Sequence, residues 1–122
     1  MSNPAVPTFG SVAIDCPDPA ALAGFYGRLL DWPVPADADG DWVNLEPPGG
    51  GPVIAFQRAV GFVAPTWPAP DVQQQLHIDF DVTDLDGAHE RAVALGARLL
   101  DTQQTFRVYA DPVGHPFCLC AC

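Results

Sequence analysis

"LHIDFDVTDLDGAHERAVALGARLL", residues 76–100, carries two periodicities in succession. Over 77–82 the chain alternates, with Ile78, Phe80 and Val82 on one face and His77, Asp79 and Asp81 on the other. A period of two predicts a strand with one apolar face. From Leu85 the spacing changes: Leu85, Ala88, Ala92 and Leu95 recur at helical intervals and form one stripe. Thr83 or Asp84 can cap the start of that helix, and Gly96 can end it in the left-handed conformation. "RLLDT", 98–102, then reads as a short strand. The polar face of the first strand poses the functional question, because an imidazole and two carboxylates are not sheet core.

Downstream, "FRVYA" and "PFCLC" read as two more strands joined by the turn "DPVGH". Upstream, the first half runs through a similar programme. "FGSVAIDC", 9–16, alternates as a strand, with Val12 and Ile14 opposite Ser11, Ala13 and Asp15. Asp18 and Pro19 suit the cap and first position of a helix whose stripe is Leu22, Phe25, Tyr26, Leu29 and Leu30. "WVNLE", 42–46, places Trp42, Asn44 and Glu46 on one face, and "PVIAFQR", 52–58, is a further strand. Residues 59–74, rich in Pro, Ala and Gln, read as an irregular connection. An offset of 66 residues lays Ser11 over His77, Ile14 over Phe80, Asp18 over Asp84 and Leu29 over Leu95. Internal duplication of this kind decides the architecture. We expect an α+β fold of two βαβββ modules, 9–58 and 75–122, joined by 59–74 within a single domain 1–122. Neither half alone encloses much core.

Composition narrows the function. The chain has 122 residues and a formal charge of −10, with 15 acidic residues against five arginines and no lysine. Nucleic-acid binding is excluded on charge, since it rests on basic side chains neutralising phosphates. The absence of lysine also excludes Schiff-base chemistry and a P-loop. No run approaches the ~18 apolar residues of a membrane span, and the opening "MSNPAVPTFG" lacks signal-peptide character. A cytoplasmic location is the expectation, with the thiols of Cys16, Cys118, Cys120 and Cys122 reduced.

In order and spacing, "LHIDFDVTDLDGAHERAVALGARLL", "FRVYADPVGHPFCLC" and "SVAIDCPDPAALAGFYGRLLDWPV" together resemble the vicinal oxygen chelate superfamily. That superfamily includes glyoxalase I, bleomycin-resistance proteins, fosfomycin-resistance enzymes and extradiol dioxygenases. "ADPVGHPFCL" is similar to a glyoxalase-like subgroup. The resemblance implies a curved mixed sheet forming half-barrels, helices on the convex face, a ligand cleft in the concave one, and homodimerisation. It places His77 in the cleft as hydrogen-bonding or acid–base group, and Ser11, Asp15, Trp42, Asn44, Gln57, Asp79, Tyr109 and Cys118 as candidate ligand-binding residues. Tyr109 enters that set with Arg107 if their strand exposes its odd positions.

Members that do chemistry usually hold one divalent metal through His, Glu or Gln, one from each of four strands. Carried over, those positions are Ser11, Ala55 or Gln57, His77 and Cys118, of which only His77 is a standard ligand. The reading favoured is a cleft without a metal cofactor that takes a small organic molecule. The protein would be a sequestering binder or a metal-independent lyase or isomerase with His77 as base. The alternatives are a metal-dependent lyase or dioxygenase using His77 and Cys118 with Gln57 or Asp79, and a non-catalytic interaction protein. His89 is expected near the surface, and His115 and Asp111 are expected to be turn residues.

Overall fold

The computed structural model describes residues 3–6 and 8–121, and these described residues form two helices and seven strands. By contacts the chain divides into two compact units, Met1–Ala59 and Val60–Cys122. The fold is α+β: a three-stranded mixed sheet in the first unit and a four-stranded mixed sheet in the second, neither closed into a barrel.

In the first unit, β1 (Ser11–Cys16) leads into α1 (Pro19–Leu30), then β2 (Trp42–Leu45) and β3 (Val53–Arg58). β3 is central, parallel to β1 and antiparallel to β2. Asp18 caps α1 through its side chain, which accepts from the Ala21 amide at 3.4 Å, and Pro19 occupies the first turn where no amide donor is needed. The helix ends at Asp31, in the left-handed region at φ 57°. Leu22, Phe25 and Tyr26 from α1 close over Ile14, Val43, Leu45, Ile54 and Phe56, all buried. Tyr26 stacks on Phe56 with centroids 5.7 Å apart. Burying each of these large apolar side chains is worth about 1.5–3 kcal/mol, so the stripe read from sequence holds this helix on its sheet.

The second unit repeats the plan. β4 (Ile78–Asp81), α2 (Leu85–Ala94), β5 (Arg98–Thr102), β6 (Phe106–Ala110) and β7 (Pro116–Cys120) form a sheet ordered β4-β7-β6-β5. Its central β7 is parallel to β4 and antiparallel to β6, the relations β3 has with β1 and β2. At the offset of 66, Leu85 opens α2 where Pro19 opens α1. Asp84 is the cap, accepting from the Gly87 amide at 2.9 Å, and Gly96 at φ 115° terminates the helix. The strand starts at Ile78, so His77 sits immediately before it.

The expectation of equal βαβββ modules needs one correction. Among the described residues the first unit has no counterpart of β5. At the same offset, Leu99 and Asp101 of β5 correspond to Pro33 and Pro35. Proline has no amide proton for a ladder bond, so two of the five residues of "WPVPA" lack the donor that "RLLDT" has at the same places.

Tyr109 is the second correction. β5 and β6 shift register between Leu99 and Asp101, and the odd residues of β6 meet α2, Arg107 donating to Asp86 at 2.6 Å and Tyr109 lying beside His89. Tyr109 is 0% exposed, stacks on Phe117 at 5.3 Å, and its hydroxyl lies 2.8 Å from His89 Nδ1. It belongs to the packing of helix on sheet. His89, half-buried, is the boundary residue expected. Asp111 organises the turn into β7: its carboxylate accepts from the amides of Val113 and His115, each at 3.0 Å. His115 is buried beside Phe62.

Candidate functional site

The parallel pairing of β4 with β7 sets Asp79 opposite Cys118, and the antiparallel pairing of β6 with β7 sets Val108 opposite Cys118. Side chains alternate along strands, so Asp79, Cys118 and Val108 share the face turned away from α2. That face floors a cavity of about 260 Å³ lined by Trp67, His77, Asp79, Phe106, Val108, Cys118 and Cys120.

Trp67 reaches the cavity from a loop knotted around Thr66. The Thr66 hydroxyl accepts from the Val72 amide at 2.8 Å, the Thr66 amide donates to the Val72 carbonyl at 2.9 Å, and the Ala69 amide donates to the Thr66 carbonyl at 2.8 Å. The indole lies parallel to the His77 ring, centroids 5.6 Å apart and planes 6° from parallel. On its other edge, His77 Nδ1 is 3.0 Å from Gln74 Oε1. An amide oxygen only accepts, so Nδ1 carries a proton and, in the neutral ring, Nε2 presents its lone pair. Nε2 faces Asp79 Oδ1 at 3.5 Å, with the two side chains 35% and 61% exposed. Two acceptors turned toward each other repel unless a proton or another cation lies between them.

Cys118 completes the group. Ligand atoms of His77, Asp79 and Cys118 all lie within 4.8 Å of one another. Burial, with Asp79 as the secondary cause, pushes the Cys118 thiol up to about 11. In the absence of a cation the sulfur therefore stays protonated near neutrality. Cys16 and Cys118 are not disulfide-bonded. Cys120 is disulfide-bonded, which corrects the expectation of reduced cysteines throughout.

The remaining candidates lie in the first unit. Register puts Asp15, Gln57 and Trp42 in one row across β1, β3 and β2, and Ala13, Ala55 and Asn44 in the next. Ser11, Asp15, Gln57, Trp42 and Asn44 are all exposed on that sheet. Trp42 and Asn44, linked from indole nitrogen to amide oxygen at 2.7 Å, line a second cavity of about 530 Å³ with Glu46 and the 33–39 loop. It is the larger hollow, yet none of its lining residues is a histidine or cysteine. Imidazole or thiol chemistry therefore has to be sought at His77 and Cys118.

Residues 11–120 match the model of the glyoxalase-like domain. The chain belongs to the glyoxalase-like domain family. No curated protein matches it significantly. Solved structures reproduce its fold. A glyoxalase/bleomycin resistance protein/dioxygenase family enzyme from Burkholderia phytofirmans PsJN superposes with TM-score 0.70 at 18% identity, covering 90% of this chain and 94% of that one. A possible glyoxalase from Bacillus cereus gives 0.69 at 10% identity over 93% and 98% of the two chains. A glyoxalase-related enzyme from Fulvimarina pelagi gives 0.68 at 20% identity over 94% and 88%. At these identities the likeness is one of fold.

For this glyoxalase-like domain, the metal that the superfamily resemblance implies can be tested against the donors. Of the four carried-over positions, Ser11 and Gln57 belong to the sheet of the first unit, and His77 and Cys118 to the second. Among the His, Cys, Asp and Glu side chains of the described residues, the three donors drawn together are His77, Asp79 and Cys118. Imidazole, carboxylate and thiolate form a set that suits zinc, and they do not suit magnesium or manganese, which prefer oxygen. Reading the sequence reached Asp79 and Cys118 but missed Phe106, Val108 and Cys120. Pairing Val108 with Cys118 would have found the correct parity of β6. Gln74 has no signal in "QQQ", where any of three amides could have been the partner.

Proposed function

We propose that this chain, acting as one glyoxalase-like domain, binds a small organic molecule in the cavity of the second unit. The observation carrying this reading is the convergence of His77, Asp79 and Cys118 beside Trp67 in a hollow of about 260 Å³. Sites for small molecules combine apolar walls with a few placed polar groups. Here Trp67, Phe106 and Val108 supply the walls, and His77 with Asp79 the polar anchors. The volume suits a ligand of modest size or a planar part of a larger one.

With Nε2 bare, His77 is the base of a metal-independent lyase or isomerase. Nε2 takes a proton from carbon next to a substrate carbonyl and returns it to the neighbouring atom. Gln74 holds the tautomer and Asp79 stabilises the imidazolium formed. Cys118 stays a thiol through that cycle. Without turnover, the same contacts make a sequestering binder. The reading includes a homodimer and a cytoplasmic location. Among the described residues, no helix is long and apolar enough to cross a membrane.

A second reading, a metal-dependent lyase or dioxygenase, is favoured by the proximity of the three donors. His77, Asp79 and Cys118 would hold the ion, which would supply a Lewis acid for an oxygen of the bound molecule.

A thermal-shift screen with flat aromatic drugs, glutathione conjugates and carbonyl metabolites tests binding. A ligand at 100 times its dissociation constant adds about 2.7 kcal/mol of stability, and the shift should vanish in His77→Ala. If no compound raises the melting temperature, the binding reading fails and an interaction protein reusing the fold takes its place.

A further inference from the structure

The larger hollow, in the first unit, lies where a strand is missing. β2 pairs with β3 alone, whereas its counterpart β6 has a strand on each side. The segment that corresponds to β5 carries Pro33 and Pro35 and runs as a loop. Within that loop the Ala38 amide donates to the Pro35 carbonyl at 3.2 Å, and Val34 packs closely over Gly27 of α1. The loop and β2 together line the cavity of about 530 Å³. That volume falls within the ~300–1,000 Å³ typical of small-molecule sites. The second unit, with β5 in place beside β6, fills the corresponding position with a strand.

The walls of this cavity set one indole, Trp42, among three carboxylates, Asp37, Asp39 and Glu46. Trp42 is 47% exposed, although its N–H already donates to Asn44 Oδ1 at 2.7 Å. With that polar edge satisfied, the exposed indole has left to offer the negative faces of its rings, which attract cations. No basic side chain lines the cavity. The chain has no lysine, and Arg58 and Arg107 are paired with Asp41 and Asp86. Among the described residues, no ion pair involves Asp37, Asp39 or Glu46. Nor do these carboxylates gather at one point. The one group of three or more His, Cys, Asp or Glu donors at single-ion spacing among the described residues is His77, Asp79 and Cys118. Separated carboxylates around an indole suit a charge spread over several atoms, and they do not suit a bare metal ion.

We propose that this hollow is a second binding site, for a small organic ammonium ion bearing methyl or other alkyl groups. Its alkyl groups lie against Trp42 and the loop prolines, and Asp37, Asp39 and Glu46 supply the countercharge. Binding makes and breaks no covalent bond. The site lies wholly within the first unit and does not involve His77. It therefore goes beyond the binding reading for the second unit, and the two fail separately.

The test is a titration of the full-length protein with choline chloride at low ionic strength, followed by proton–nitrogen correlation spectra. The indole N–H signals come from Trp32, Trp42 and Trp67, and Trp42→Phe identifies the one from Trp42. Choline should move the Trp42 signal saturably and leave that of Trp67, in the other cavity, in place. The uncharged isostere of choline, with a tert-butyl group replacing trimethylammonium, should bind at least tenfold more weakly. Magnesium chloride at matched ionic strength should leave the signal unmoved. By calorimetry, Trp42→Ala should weaken choline binding at least tenfold, and so should the triple variant Asp37→Asn, Asp39→Asn, Glu46→Gln. Added salt should weaken it in the native chain by screening the carboxylates. All four side chains are exposed, so their replacement leaves the core intact, and far-ultraviolet circular dichroism checks this. If Trp42→Ala does not fold, the triple variant remains decisive. The proposal is overturned by an unmoved Trp42 signal, by movement of Trp67 instead, or by movement with magnesium. Equal binding of the isostere, or undiminished affinity in the triple variant, overturns it as well.

Discussion

The imidazole of His77 lies flat against the indole of Trp67, the planes 6° from parallel and the centroids 5.6 Å apart. A strand residue would be positioned by its ladder, but His77 precedes β4 and depends on this stack and on Gln74. Aromatic pairs contribute about 0.5–1.5 kcal/mol beyond their buried area. Trp67→Ala should therefore lower the stability measured by urea unfolding by at least that amount, and Trp67→Phe should retain most of it. Equal losses in both variants would show that the stack does not position the imidazole.

Cys118 yields a prediction about reactivity. With its thiol pushed up to about 11, chiefly by burial and secondarily by Asp79, the thiolate is scarce at pH 8. Alkylation by iodoacetamide at that pH, read by mass mapping, should be about a hundredfold slower than for an exposed thiol. Asp79→Asn should accelerate it.

The same shift has a consequence for stability. The folded state holds the Cys118 proton more tightly than the unfolded chain, so nothing is lost below the ordinary value of 9.0. Stability then falls as pH rises from there through about 11. Across that window the melting temperature of the native chain should drop more steeply than that of Cys118→Ser. Parallel slopes would remove the thiol from the account.

Tyr109→Phe should cost about 1 kcal/mol in urea unfolding, because the hydroxyl near His89 is buried. It should leave ligand binding unchanged, since Tyr109 faces the helix and does not line the cavity. A loss of binding with stability intact would return Tyr109 to the site.

Gly27 tests the packing of the first unit. A methyl group there would collide with the Val34 side chain and lie 3.1 Å from the Trp32 carbonyl oxygen. Alanine gains about 1 kcal/mol in helix propensity, against about 1–3 kcal/mol for overpacking. Gly27→Ala should therefore lower the melting temperature.

Much of this molecule was legible in its residues. The alternation in 77–82, the stripes of both helices, the caps Asp18 and Asp84 and the termination at Gly96 are local in origin, because period, capping and left-handed turns are properties of short stretches. The duplication was legible too, since two segments that must pack alike carry similar patterns. The shortfall in the first unit could have been read from Pro33 and Pro35, whose missing amide protons weaken strand pairing.

What the chain order did not contain was parity and proximity. Whether Tyr109 or Val108 faces the cavity depends on how β6 registers against β7, and a single step of register turns every side chain to the other face. Likewise, 41 positions separate His77 from Cys118 in sequence, and they meet because β4 and β7 run side by side in parallel. Local periodicity determines which residues share a face of their own strand. Only hydrogen bonding between distant strands decides which faces combine, and so it is tertiary structure that brings an imidazole, a carboxylate and a thiol to one place.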